Sequence, residues 1–204
     1  MKAVTFVSSN HGKSREVADI LRPFGIRVRW RRRKLGEPQA DDLESVVRAK
    51  LRAVGDIPGK VLVEDSGLFI PALGGFPGVY SSYIEKIWGK NRDFEPFLDL
   101  LRKRDRRAIF RTVAGLRSGS RVTIFKGETV GSIARQPRGD RGFGYDPIFI
   151  PVDWKQTFAQ APPNAKNAIS HRARALKRVG EYLRAPRREG RRARTASRGR
   201  NRRP

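Results

Sequence analysis

Apolar and polar positions follow two alternating periods along this chain. Residues 3–9, Ala-Val-Thr-Phe-Val-Ser-Ser, predict a first buried strand, and Asn10-His11-Gly12 is a turn. From about Lys13, Val17, Ile20 and Leu21 fall at helical spacing, and Pro23 and Gly25 stop that helix. Ile26 to Trp30 alternates apolar residues with arginine, as a strand does. Residues 34–41 hold Gly36 and Pro38 and read as a loop. Leu43, Val46, Val47 and Leu51 recur at helical spacing over about 43–54, with Asp41 or Asp42 as the cap. A strand over 61–64 follows Pro58-Gly59. Strand and helix in alternation argue for an α/β chain with a layered sheet.

The second half is richer in strands. Residues 71–80 are dense in Gly and Pro and form a structured loop. A helical region is expected over about 91–103. The runs 108–116 and 121–127 predict a hairpin across Ser118-Gly119, and 129–134 extends its sheet. Residues 137–147 form a glycine-rich loop, and Phe149 and Ile150 end a short strand. One last helix is expected over 164–183, with Ala168, Ile169, Ala175, Leu176, Val179 and Leu183 on its apolar side. Beyond Leu183 the periodicity stops. The chain thus divides into a domain over 1–184 and a disordered, Arg-rich tail over 185–204.

Composition narrows the class. A chain of 204 residues can build one domain or two closely packed lobes. It has no cysteine, which excludes disulfides, thiolate nucleophiles and Cys-based zinc sites. With only two histidines, a multi-His metal site is excluded as well. No apolar run approaches the roughly 20 residues of a membrane span. The first residues are too short for a signal-peptide core, so a cytoplasmic protein is expected. The net charge is +25, and residues 184–204 alone hold ten Arg and one Glu. Such a field attracts nucleotides, nucleic acid or acidic surfaces without choosing among them.

Four segments carry candidate chemistry. In Val63-Glu64-Asp65-Ser66-Gly67, two adjacent carboxylates end an apolar run. Like charges in a partly buried place need a cation, and a divalent metal with oxygen ligands answers that need. A solvated turn is the plain alternative. Ser8-Ser9-Asn10-His11-Gly12-Lys13-Ser14 is not a P-loop, because Val7 stands where that pattern needs glycine. A strand–turn–helix junction with Lys13 beside it still suits a phosphate, and an ordinary surface turn is the alternative. Gly142-Phe143-Gly144-Tyr145-Asp146 lets the backbone approach a flat ligand; Phe143 can stack on a base and Asp146 can accept hydrogen bonds. Lys166, Ser170, His171 and Arg172 gather donors that can grip an anionic or carbonyl-rich ligand.

In this order the motifs resemble the inosine triphosphate pyrophosphatase family, enzymes that clear non-standard purine nucleotides. Ser8-Ser9-Asn10 with Lys13 and Glu16 looks like its opening motif. Glu64-Asp65-Ser66-Gly67-Leu68 looks like its acidic motif, and Phe76 to Ser81 like the loop after it. Gly142 to Phe149 is similar to its Gly-Phe-Gly-Tyr-Asp-Pro-Ile-Phe stretch. Phe158-Ala159 and Lys166 to Arg172 resemble its C-terminal motif. The resemblance covers about residues 3–183. Arg141 departs from it, standing where many relatives have glycine. Ala161-Pro162-Pro163 departs where a more acidic segment is usual.

The resemblance implies a two-lobed α/β fold around a long twisted mixed sheet flanked by helices, with the nucleotide in the cleft between lobes. It implies hydrolysis of ITP, dITP or XTP to the monophosphate and pyrophosphate, with Mg²⁺ bridging the phosphates. Asp65 is the expected catalytic residue. Glu37, Asp65 and Glu64 are the expected metal ligands, the division of work between Glu64 and Asp65 staying open. Ser8, Ser9, Asn10, Lys13, Lys50, Ser66, Phe143, Gly144, Tyr145, Asp146, Lys166, His171 and Arg172 are the expected substrate contacts. Donors at Lys166, His171 and Arg172 favour a purine C6 carbonyl over the amino group of adenine. A homodimer is implied by resemblance alone. Two rivals remain: a nucleic-acid-binding protein using the basic surface and tail, and a pyrophosphatase for modified pyrimidine nucleotides.

Overall fold

The computed structural model describes residues 2–36, 38–88 and 93–185. Its strands are β1 (Lys2–Val7), β2 (Ile26–Arg31), β3 (Lys60–Phe69), β4 (Pro77–Gly78), β5 (Arg107–Ser118), β6 (Arg121–Ile133) and β7 (Phe149–Pro151). The helices are α1 (His11–Leu21), α2 (Leu43–Ala53), α3 (Ser81–Trp88), α4 (Glu95–Asp99), α5 (Pro163–Ile169) and α6 (His171–Arg184). The strands make one open, mixed sheet in the order β2-β1-β3-β5-β6-β7, with β4 added on β3. β1 runs parallel to β2 and β3, and the other pairings are antiparallel.

The sheet is buried on both faces where it carries the site, and the period of β3 shows how. Leu62 joins Phe6, Leu116 and Leu176 in a core under α1 and α6. Val61 and Val63 join Val47, Leu51 and Val113 in a second core under α2. Successive strand residues point to opposite faces. A third core holds Leu68, Phe94, Phe97, Phe110, Tyr145, Phe149 and Phe158 at the far end of the sheet. These cores give the two lobes, one around the parallel strands and one around the far end of the β3–β5–β6 ladder.

The structure departs from the sequence expectations at four places. β3 does not stop at Glu64: it runs on to Phe69, and Ser66 and Gly67 stay paired with Thr112 and Arg111. The carboxylate pair is therefore mid-strand. The last helix is two helices, broken at Ser170, whose backbone is extended (φ −63°, ψ 155°) and whose Oγ accepts from the Ala173 N–H. A serine side chain that competes for backbone groups is better used as a cap than inside a helix. α3 was missed, because Gly and Pro dominate the residues before it and it presents Tyr83 and Ile87 to solvent. α4 covers only part of the helix expected over 91–103, whose first two residues lie outside the described ones. The tail expected over 185–204 also lies, apart from Ala185, outside the described residues.

Candidate active site

β1 pairs with β3 only through Thr5–Val61 and Phe6–Leu62. Past Leu62 the β1 side of β3 is open, and Glu64 and Asp65 sit just beyond that gap. Being adjacent on a strand, they point to opposite faces, yet at this gap both reach the same cavity, and Lys13 lies between them. Glu64 shares the face of Leu62: its Oε2 lies 3.4 Å from Nε of Arg172 on α6 and accepts from Ser66 Oγ at 2.7 Å. Asp65 shares the face of Val63, and Lys50 of α2 donates to its Oδ1 at 2.8 Å. Lys13 of α1 spans both, 2.7 Å from Glu64 Oε1 and 3.9 Å from Asp65 Oδ1. Burial alone would raise the Glu64 pKa, but Arg172 and Lys13 outweigh it and hold that carboxyl far below the ordinary range.

A second charged cluster adjoins this one. Glu16 of α1 accepts from Arg172 Nη1 at 2.5 Å and from Lys166 Nζ at 2.8 Å. Lys166 also donates to Asp146 Oδ2 at 2.5 Å. Its Nζ lies 4.9 Å from the centre of the Phe143 ring, and Arg172 Cζ lies 5.4 Å from it, within cation–π range. Burial disfavours the Lys166 charge, yet the attraction of Asp146 and Glu16 raises its pKa. His171 stacks on Phe110 at 4.4 Å with planes 11° apart. Burial, with Arg172 and Lys166 nearby, lowers its pKa well below the ordinary value, so the ring is neutral at pH 7. His171 Nδ1 is buried without a hydrogen-bond partner.

Two glycines permit this closeness. A Cβ on Gly127 of β6 would lie 2.3 Å from the carbonyl oxygen of His171 and 2.4 Å from the nitrogen of Ala175. The start of α6 thus rests directly on the sheet. Gly142 has φ +70°, and a Cβ there would lie 2.0 Å from Asp146 Oδ2. The tight loop lets Asp146 accept the Phe143 N–H at 2.9 Å while it holds Lys166.

Two cavities, each about 280 Å³, meet at this place. One is lined by Phe110, Phe143, Gly144, Lys166, His171 and Arg172 among others. The other is lined by Ser8, Ser9, Lys50, Glu64, Asp65 and the cations Arg33, Lys34 and Lys86. Asn10, Lys13 and Ser82 line both. One cavity is flat-walled and aromatic, the other acidic at its floor and ringed by cations. Together they have the shape and chemistry for a base on one side and a polyphosphate on the other. A larger groove, about 630 Å³, lies beside α2, β6 and α6, and the ion pairs Lys126–Glu44 and Arg111–Glu128 lie along it.

All but one of the expected site residues fall at these cavities or their walls. Glu37 lies outside the described residues. Asn10 caps α1, its Oδ1 accepting the Lys13 N–H at 3.0 Å, and Ser8 Oγ accepts the Asn10 N–H at 3.1 Å. The side chain of Asn10 thus takes one of the helix-start donors expected for a phosphate. Tyr145 lines the aromatic cavity, but its hydroxyl is used to hold α3, donating to the Ser81 carbonyl at 2.9 Å. Lys166 and Arg172 are not free donors, since Glu16, Asp146, Glu64 and Ser66 already engage them. Arg141 turns away from both cavities and donates to the Gln160 carbonyl at 3.0 Å. Sequence reasoning missed the wall supplied by α3, namely Ser81, Ser82, Glu85 and Lys86, because α3 itself was missed. It also left Glu16 without a role; its spacing from Lys13 was the available signal.

Two carboxylates, with no group of three acidic or His side chains among the described residues, form a donor set that fits Mg²⁺ when phosphate oxygens and water complete its shell. Among the described residues no helix is long and apolar enough to cross a membrane.

An open α/β sheet with a cation-bracketed carboxylate pair between a flat cavity and a basic one defines a nucleotide-site architecture. The chain belongs to the Ham1 family, whose family model matches residues 4–182. It is 44% identical over 182 residues to a dITP/XTP pyrophosphatase of Pyrococcus horikoshii, covering 88% of this chain and 96% of that one. It is 43% identical to a dITP/XTP pyrophosphatase of Ignicoccus hospitalis over 89% of this chain and 97% of that one. A HAM1 protein from Coxiella burnetii has the same fold, with a TM-score of 0.76 and 32% identity over 90% of this chain and 98% of that one. The resemblance drawn from the motifs is borne out, as is the mixed α/β sheet flanked by helices.

Proposed function

We propose that this protein is a nucleoside triphosphate pyrophosphatase that hydrolyses dITP, XTP and ITP to the monophosphate and pyrophosphate, keeping such nucleotides out of nucleic acids. The observation that carries this is Glu64 and Asp65, flanked by Lys13 and Lys50, where the two cavities meet. The base lies against Phe143 and the triphosphate lies over the carboxylates. That arrangement puts the α–β phosphoanhydride bond beside Asp65. The relatives named dITP/XTP pyrophosphatase support the same substrate class.

Glu64 and Asp65 are the described residues that would hold Mg²⁺, and Glu37 is proposed as a third ligand. When bound, the metal would neutralise charge on the phosphate oxygens. The side chains do the rest. Lys50 and Lys13 both address Asp65 Oδ1, which leaves Oδ2 to orient a water and take its proton. The water oxygen attacks the α phosphorus and pyrophosphate leaves. Lys13, Lys50 and Lys86 counter the charge of the phosphates. On the base side, an incoming purine lies on the face of Phe143 near Lys166 and Arg172. A C6 carbonyl is drawn to the positive potential of these two cations, which stay paired with Glu16, Asp146, Glu64 and Ser66, whereas the adenine amino group turns its own positive end toward them.

The catalytic domain is taken to span residues 1–184, with 185–204 as an accessory tail. A homodimer and a cytoplasmic location complete the proposal. Release of pyrophosphate from dITP in the presence of Mg²⁺, lost in Asp65→Asn with the fold retained, tests it. A protein that binds dITP but never releases pyrophosphate contradicts it.

A further inference from the structure

The cation ring of the phosphate-side cavity does not end at its rim. Among the described residues β2 is the outermost strand of the sheet and pairs only with β1. Their register sets Arg27 beside Ala3, Arg29 beside Thr5 and Arg31 beside Val7. Side chains alternate between faces along a strand, and neighbours in register share a face. Arg27, Arg29 and Arg31 therefore lie on the face of Ala3, Thr5 and Val7. Val7 lines the phosphate-side cavity, as do Arg33 and Lys34 just after β2. The three arginines thus continue the cavity's cations outward in one row. At about 3.3 Å per residue, Arg27 to Arg31 spans about 13 Å.

This row is open. Arg27, Arg29 and Arg31 are exposed, and Ala3 and Thr5 beneath them are only half-buried. Among the described residues none of the three arginines makes an ion pair. Like charges side by side on one sheet face repel, and an anion laid along the row relieves that repulsion. A triphosphate does not need it, because Lys13, Lys50 and Lys86 already surround the carboxylates. The face also chooses among polyanions. Single-stranded nucleic acid is gripped by aromatic platforms interleaved with cations. The Trp30 and His11 rings lie 5.3 Å apart with planes tilted by 52°, but Trp30 is an even-numbered residue on the opposite face. The arginine face presents Ala, Thr and Val between its charges, which suits bare phosphates.

We propose that the Arg27–Arg29–Arg31 row is an extension of the phosphate site that takes a linear phosphoanhydride chain longer than three phosphates, one end in the cavity and the rest along β2. The inference rests on the reading of that cavity as a triphosphate site. Inorganic polyphosphate and nucleoside polyphosphates share the required chemistry. Such a chain competes with the triphosphate substrate.

The test compares the full chain with the variant Arg27→Ser/Arg29→Ser/Arg31→Ser, at one ionic strength. Binding of inorganic tripolyphosphate and of long-chain inorganic polyphosphate is measured by calorimetry, and each is used as an inhibitor of dITP hydrolysis. Wild type is expected to bind the long chain at least about tenfold more tightly than tripolyphosphate, competitively with dITP. The variant is expected to lose most of that advantage while keeping kcat/KM for dITP within about twofold. Inosine tetraphosphate, set against inosine triphosphate, tells nucleotide-linked chains from free ones. A variant that keeps the whole long-chain advantage overturns the proposal. So does a single-stranded oligonucleotide that binds wild type as tightly as polyphosphate of equal charge. Absence of dITP hydrolysis by wild type marks a different failure, that of the cavity's reading, and is seen separately.

Discussion

Arg172 Nη1 donates to Glu16 Oε2 at 2.5 Å, joining residues 156 positions apart. Glu16 also accepts from Lys166, so one carboxylate of α1 balances two cations from the C-terminal segment. Truncation to Ala takes this counter-charge from a buried Arg and a buried Lys. Removing one partner of a buried ion pair costs about 3–5 kcal/mol. Glu16→Ala is expected to lose stability of that order in urea denaturation, and Glu16→Gln, which keeps an acceptor, clearly less. Equal and small losses in both would mean that water already screens the cluster.

Lys166 has a different signature. It faces the Phe143 ring and is held by Asp146 and Glu16. Lys166→Ala is expected to raise KM for dITP by about tenfold or more, with a smaller change in kcat, since its proposed contact is with the base rather than the bond broken. Steady-state kinetics on dITP check this. Unchanged KM would remove Lys166 from the site.

Asp65 is the residue proposed to act in the chemical step. Asp65→Asn keeps the shape but not the charge or the proton acceptor, and is expected to lower kcat by about 10²–10⁴. Its melting temperature is expected to fall, since buried Lys50 loses its counter-charge, while the fold is retained. Chelation of divalent metal should abolish wild-type turnover, and added Mg²⁺ should restore it. Turnover that survives chelation would show that the carboxylates work without a metal.

His171 gives a pH dependence with a definite sign. Its folded pKa is lowered, so below about pH 6.5 the unfolded chain binds a proton that the folded chain does not. Stability is therefore lost as pH falls from 7 toward 5, by at most about 1.4 kcal/mol per pH unit from this group. His171→Gln should flatten that stretch of the stability curve, as read by urea midpoints at pH 7 and pH 5. Glu64 acts lower on the scale: its depressed pKa contributes stability that is complete above about pH 4.5 and is lost only in stronger acid.

What the sequence revealed follows physical lines. The strand–helix alternation up to Val63 and the 108–127 hairpin were legible because their apolar periods are clean. The mid-strand position of Glu64 and Asp65 was not, because Ser66 and Gly67 look like a turn until Thr112 and Arg111 pair with them. The break at Ser170 was hidden because an apolar stripe runs across it, and only the cap geometry reveals it. The site residues were legible as motifs, but their partners were not. That Glu64 and Asp65 face different helices follows from strand pleating. That Glu16 bridges Lys166 and Arg172 depends on α1 packing against α5 and α6, a long-range contact that no local pattern encodes.

The proposed cleft accepts a purine with a C6 carbonyl and places its α–β phosphate bond beside Asp65. Pyrophosphate release should therefore be measured for dITP, XTP, ITP, GTP and ATP at matched concentrations with Mg²⁺, for wild type and Asp65→Asn. The expected result is kcat/KM for dITP and XTP at least about 100-fold above that for ATP, with turnover lost in the variant. Equal rates for ATP and dITP, or release of inorganic phosphate in place of pyrophosphate, would contradict it.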